Sequence, residues 1–299
     1  MTSSFAAVGW DDGKPIKMAY TDNGNTTAEH TLLLLHGLFD HKGTWELTEP
    51  YLNEHFRTVS VDLVGSGLSS KPQFLSLPSF ERYSLDQQTS FVRQFIRTLG
   101  LDNLILVGNS VGGLIALRLV CNNSVNLPKL NGLVLISAVG YPQPLPIYTS
   151  LITGKPGLLL LNPILQRLLV SSRLAKAIVH ATYVRSFYCR NRIPQGSVDR
   201  AVDIFAQPGT PYAYRMTARN LVPSDINTFP QKYGTIRLPT LIVWGKEDRI
   251  IPALNALRLE ADLPFAKLHV FDQCGHAPHL EYPEETAVAV RDWIRYNLV

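Results

Sequence analysis

Leu104-Ile-Leu-Val107-Gly108-Asn109-Ser110-Val111-Gly112-Gly113 is the stretch from which the fold is read. Four apolar residues run into a Gly-x-Ser-x-Gly, and a largely apolar helical segment follows through Val120. The spacing predicts a strand, a tight turn and a helix. In such a turn the two glycines stand where a side chain would collide, and the serine hydroxyl is lifted above the sheet edge. The helix N-terminus behind Ser110 offers unpaired N–H groups and the positive end of its dipole, which suits a developing oxyanion.

Working outward, short apolar runs alternate with longer segments of helical period, the pattern of a parallel sheet covered by helices on both faces. Strands are expected at residues 31–35, 58–61, 104–107, 133–136, 241–244 and 267–271. Ser84 with Gln87 forms a capping box ahead of Phe91, Val92, Phe95, Ile96 and Leu99, and Gly100 supplies the stop. Helices are also expected at residues 253–261 and 284–296. Between Tyr141 and Pro230 no good strand appears, and Pro142, Pro144, Pro146, Pro156 and Pro163 punctuate apolar helical pieces. The expected organisation is one core, residues 1–140 and 231–299, interrupted by a helical cap at 141–230.

Composition excludes several classes. The 299 residues are 45% hydrophobic and 17% charged, which argues against a disordered or collagen-like chain. The net charge of +4 comes from a small surplus rather than a basic tract, and Arg185 to Arg192 is diluted by uncharged residues, so nucleic-acid binding is not expected. Cys121, Cys189 and Cys274 form no Cys-x-x-Cys pair, and reduced thiols in a cytoplasmic setting are expected. No signal peptide is read at the N-terminus, and residues 157–170 are too interrupted by polar residues to span a membrane.

A serine hydroxyl is a weak nucleophile, so a base must lie within reach and a carboxylate should orient that base. His276, on a loop after the strand at 267–271, is the candidate base, with His279 its competitor. Asp248, in the loop after the strand at 241–244, is the candidate acid, ahead of Glu247 and Asp62. Asp62 reads better as a loop carboxylate pinning its own turn. The negative oxygen of a tetrahedral intermediate needs donors: the backbone N–H of Val111 and that of Leu38, with Phe39 as the alternative to Leu38. His36 reads as a histidine that braces that loop. No metal-ligand cluster is read, and no cofactor or metal is expected.

His36-Gly37, Asp62-x-x-Gly65-x-Gly67-x-Ser69, Gly108-x-Ser110-x-Gly112-Gly113, Gly245-x-x-Asp248-x-x-x-Pro252 and Gly275-His276-x-Pro278-x-x-Glu281-x-Pro283 resemble the successive signatures of the α/β-hydrolase superfamily. The resemblance runs from about Leu32 to the C-terminus. It implies an α/β fold with an eight-stranded, mostly parallel sheet, a cap after the strand ending near Ile136, and no cofactor. Ser110 stands where epoxide hydrolases and haloalkane dehalogenases carry Asp. Gly108-Asn109-Ser110-Val111-Gly112-Gly113 is similar to the element of carbon–carbon bond hydrolases of aromatic ring cleavage. Those usually have Trp after the histidine, whereas Ala277-Pro278-His279 follows here, as in many esterases. Hydrolysis of a small-molecule hydrophobic carboxylic ester therefore leads. Carbon–carbon hydrolysis and a ligand receptor on the same fold, like the plant hormone receptors that keep their serine, are the alternatives. The apolar run Leu158-Leu-Leu-Leu161 with Ile164, Leu165, Leu168, Leu169 and Val170, together with Tyr183, Phe187 and Tyr188, is expected to build either an apolar pocket wall or the cap's own core.

Overall fold

Alternation of side chains along the strands divides the interior into two halves. In the computed structural model, which describes residues 2–121, 127–144, 153–155, 162, 164 and 173–298, β3 (Thr31–Leu35) turns Leu33 and Leu35 to one face and Leu32 and Leu34 to the other. Strands β5 (Leu104–Asn109), β6 (Leu130–Ile136) and β7 (Thr240–Gly245) do the same, with Leu106, Leu135 and Ile242 on the first face against Val107, Val134 and Val243 on the second. Because both faces are buried, these strands read as continuous apolar runs, as parallel strands must.

The first face is covered by α2 (Leu85–Thr98), α3 (Val111–Cys121) and a helix at Leu254–Asp262. The second is covered by α1 (Glu49–Asn53) and the C-terminal helix Pro283–Asn297 through Leu52, Val290, Trp293 and Ile294. The Ser84 hydroxyl caps α2 by accepting the N–H of Gln87, and the Gln87 side chain takes the N–H of Tyr83 rather than that of Ser84. The reciprocal bond of the expected box is thus shifted back by one residue.

The sheet has eight strands in the order β1-β2-β4-β3-β5-β6-β7-β8, where β4 is Arg57–Val61 and β8 is Ala266–Phe271. Strands β4, β3, β5, β6, β7 and β8 are parallel, and β2 (Lys14–Asp22) joins β4 antiparallel. The hairpin of β1 (Ser4–Asp11) with β2 was not among the expected strands. Its turn is Asp12-Gly13, both at positive φ (47° and 70°), the two-residue connection whose twist matches that of antiparallel strands.

Between β6 and β7 the described residues form helices and turns: α4 (Arg173–Ser186), α5 (Ser197–Ala206) and α6 (Thr210–Arg219). Of the apolar run from Leu158 to Val170, only Ile164 lies within the described residues, and it is exposed. The helix at Leu254–Asp262 is numbered α7, the short one at Pro278–Glu281 α8 and the last α9. No helix among the described residues is long and apolar enough to cross a membrane.

Candidate active site

Parallel strands end together, so the loops after β3, β5, β7 and β8 meet at one edge of the sheet. At the end of β5 the chain turns into α3 with Ser110 at φ +54°, a left-handed conformation that costs a β-substituted residue about 1–3 kcal/mol. The surroundings enforce it. A Cβ at Gly108 would come within 2.5 Å of the Gly112 backbone, and one at Gly112 within 2.4 Å of the Leu35 carbonyl oxygen. The Ser110 N–H donates to the Ile136 carbonyl at 3.0 Å, while its own carbonyl accepts from Gly113 and Val139. The serine backbone is therefore tied to β6 and to the start of α3.

Asp248 and His276 come together from two neighbouring loops. The Asp248 Oδ1 accepts the N–H groups of Ile250 and Ile251 at 2.7 and 2.9 Å, which fixes the carboxylate plane. Its Oδ2 then faces His276 Nδ1 at 2.7 Å. With a carboxylate at Nδ1, that nitrogen holds the proton and Nε2 is left as the basic atom. The His276 N–H donates to the Ser186 carbonyl at 2.6 Å, so the histidine loop is fastened to the end of α4.

Ser110 and His276 line the same cavity, of about 340 Å³. Leu38 and Val111 line it too, and among the described residues no protein acceptor takes either backbone N–H. Val111 opens α3, where an N–H has no partner within the helix. Phe39 has φ +59° and stacks on Tyr214 of α6 at 4.6 Å between ring centroids, joining the loop after β3 to the inserted helices.

The competing residues have other partners. His279 also lines the cavity, but its Nε2 bonds the Thr44 hydroxyl at 3.0 Å and its ring packs on Trp45. Burial pushes its pKa down to about 4, with Asp40 opposing the shift and His276 adding to it. His36 accepts the Leu63 N–H at Nε2 and donates from Nδ1 to the Gly37 carbonyl, bracing the loop. Asp62 accepts the N–H groups of Lys42 and Leu68 and pairs with the Lys42 ammonium. Glu247 accepts the Cys274 N–H.

Apolar groups dominate the cavity wall. Ile178, Val179 and Phe187 come from the α4 region, Phe205 from α5, and Leu221, Val222 and Ile226 from the segment before β7. Tyr183, singled out in the sequence, is on the wall, and Tyr188 is not among the residues lining it. Two residues were missed. Asp40 lines the cavity beside the candidate oxyanion loop. Glu281, to which the sequence reading gives no role, has a buried carboxylate that accepts the N–H groups of Gly275, Tyr188 and Cys189. Its place five residues after His276 was the available signal.

The family model of the alpha/beta hydrolase family matches residues 32–290. Monoacylglycerol lipase abhd6-A of Xenopus laevis is 25% identical over 281 residues, covering 93% of this chain and 79% of that protein. A 2-hydroxy-6-oxononadienedioate/2-hydroxy-6-oxononatrienedioate hydrolase of Paraburkholderia phymatum is 25% identical over 295 residues, covering 95% and 93%. Among solved structures, a putative lipase from Acinetobacter baumannii superposes with a TM-score of 0.77 at 22% identity, covering 99% of this chain and 91% of that one.

Proposed function

Because the chain belongs to the alpha/beta hydrolase family, we propose that it is a serine hydrolase that cleaves carboxylic esters of small to medium hydrophobic substrates through an acyl-enzyme. The observation that carries this reading is the Asp248–His276 pair at 2.7 Å, on the same apolar cavity as a serine held in a strained strand-to-helix turn.

In this reading His276 Nε2 takes the Ser110 hydroxyl proton as Oγ bonds to the ester carbonyl carbon, and the carbonyl π pair moves onto oxygen. The N–H groups of Leu38 and Val111 receive that oxyanion. The pair returns to reform the carbonyl, the carbon–oxygen bond to the alcohol breaks, and His276 protonates the departing oxygen. Water then repeats the sequence on the acyl-enzyme and releases the acid. Asp248 orients the imidazole and stabilises its cation without taking its proton. The helices between β6 and β7 act as a cap whose side chains form much of the substrate cavity. None of these steps calls on a metal or cofactor.

The test is turnover of p-nitrophenyl butyrate together with labelling by a fluorophosphonate. Labelling is expected at Ser110, and Ser110→Ala or His276→Ala is expected to lower kcat by about 10³-fold or more with the fold intact. A Ser110→Ala protein retaining more than about a tenth of the wild-type rate would remove Ser110 from the nucleophile position.

A further inference from the structure

The cavity is apolar but not electrically neutral. Asp40, on the loop that follows Leu38 and Phe39, lines it, and among the described residues its carboxylate accepts one hydrogen bond, from the His41 N–H at 2.9 Å. Among the described residues no cation pairs with it: the Lys42 ammonium is held by Asp62 and the Arg200 guanidinium by Glu46. No Lys or Arg occurs among the described residues of the wall. Asp40 lies near enough to two tyrosines of the wall to act on them. Burial raises the pKa of Tyr183 and Tyr214, and Asp40 is the next contributor at both, opposing a second negative charge on either ring.

We propose that Asp40 is a specificity-determining residue that restricts the cavity to substrates without negative charge, excluding carboxylate-bearing esters and the dienoate anions of carbon–carbon hydrolysis. The proposal rests on the ester-hydrolase reading above. Its physical basis is direct: an anion entering the cavity leaves water, meets no Lys or Arg on the described wall, and shares the space with a carboxylate in a region of reduced dielectric. Neutral esters are exempt from that repulsion and keep the favourable burial of their carbon chains.

Two substrates of nearly equal shape separate charge from size and polarity. The p-nitrophenyl esters of 5-carboxypentanoic and 5-carbamoylpentanoic acids differ only in a terminal carboxylate or amide. Wild-type protein is expected to favour the amide in kcat/KM by about tenfold or more, as two like charges at reduced dielectric require. In Asp40→Asn that ratio is expected to fall at least severalfold, and in Asp40→Glu, which keeps the charge, to stay near the wild-type value. A ratio near one in wild-type protein overturns the proposal. So does a ratio unchanged in Asp40→Asn, which would assign the discrimination to the apolar wall alone. If Asp40→Asn fails to fold, Asp40→Ser, which also removes the charge, takes its place, and an unchanged ratio there overturns the proposal equally. Absence of turnover on both esters and on p-nitrophenyl butyrate would instead overturn the ester-hydrolase reading, so the two failures are distinguishable.

Discussion

Two histidines three positions apart in sequence meet different electrostatic fates. His276 Nδ1 faces the Asp248 carboxylate, whereas His279 is fully enclosed, takes a hydroxyl from Thr44 and packs on Trp45. Burial disfavours the imidazolium of His279 and carries its pKa down to about 4, against 6.5 for the free side chain. Between those values the unfolded chain binds a proton there that the folded chain does not, so the contribution of His279 to stability falls as pH drops from about 6.5 to about 4 and changes no further below that. The loss across the window is about 3 kcal/mol from this group. His36, also lowered by burial, acts in the same direction. Urea unfolding at pH 7.5, 5.5 and 4.5 measures the slope, and His279→Phe is expected to flatten it. An identical slope in the variant would show that His279 is not buried as the neutral form.

At the scale of elements, Glu281 joins the histidine loop to the turn that follows α4. Its carboxylate takes the Gly275 N–H at 2.6 Å from one side and those of Tyr188 and Cys189 at 3.0 and 3.1 Å from the other. The neighbouring bond from His276 N–H to the Ser186 carbonyl reinforces the joint. Glu281→Gln turns an amide NH₂ toward N–H donors and leaves at least one unsatisfied, at a cost of about 2–3 kcal/mol. As a positioning residue acting through His276, its replacement is expected to lower kcat while KM changes little. A variant with lost stability but wild-type kcat would make Glu281 purely structural. Such links were not legible beforehand, since they depend on which distant loops meet. The buried parallel strands were legible because their apolar runs are local and long. The β1–β2 hairpin was not read, because Asp12-Gly13 is its one local signal and the alternation around that turn is weak. Ser110, Asp248 and His276 stand out as candidates because each follows a recognisable strand. Asp40 could not, since nothing local marks a carboxylate as lacking a counter-ion.

Over the whole molecule, the net charge of +4 says little about the site, where the described wall carries no Lys or Arg. What the cavity offers a substrate is chiefly apolar area, supplied jointly by the loops of the sheet and by Ile178, Val179, Phe205, Leu221 and Val222 of the inserted segment. Each methylene removed from water into such a site is worth about 0.8 kcal/mol, close to a fourfold gain in transition-state binding. The gain lasts only while space remains, and about 340 Å³ must hold both the acyl chain and the alcohol. For p-nitrophenyl esters from acetate to decanoate, kcat/KM is therefore expected to climb over the first few carbons, by up to about fourfold per methylene, and then level or fall once the chain outgrows the cavity. Replacing Val179 with Phe should move the maximum to a shorter chain by occupying part of that space. A maximum at acetate with steady decline would mean that the apolar wall does not receive the acyl group and that the inserted helices only roof a small site.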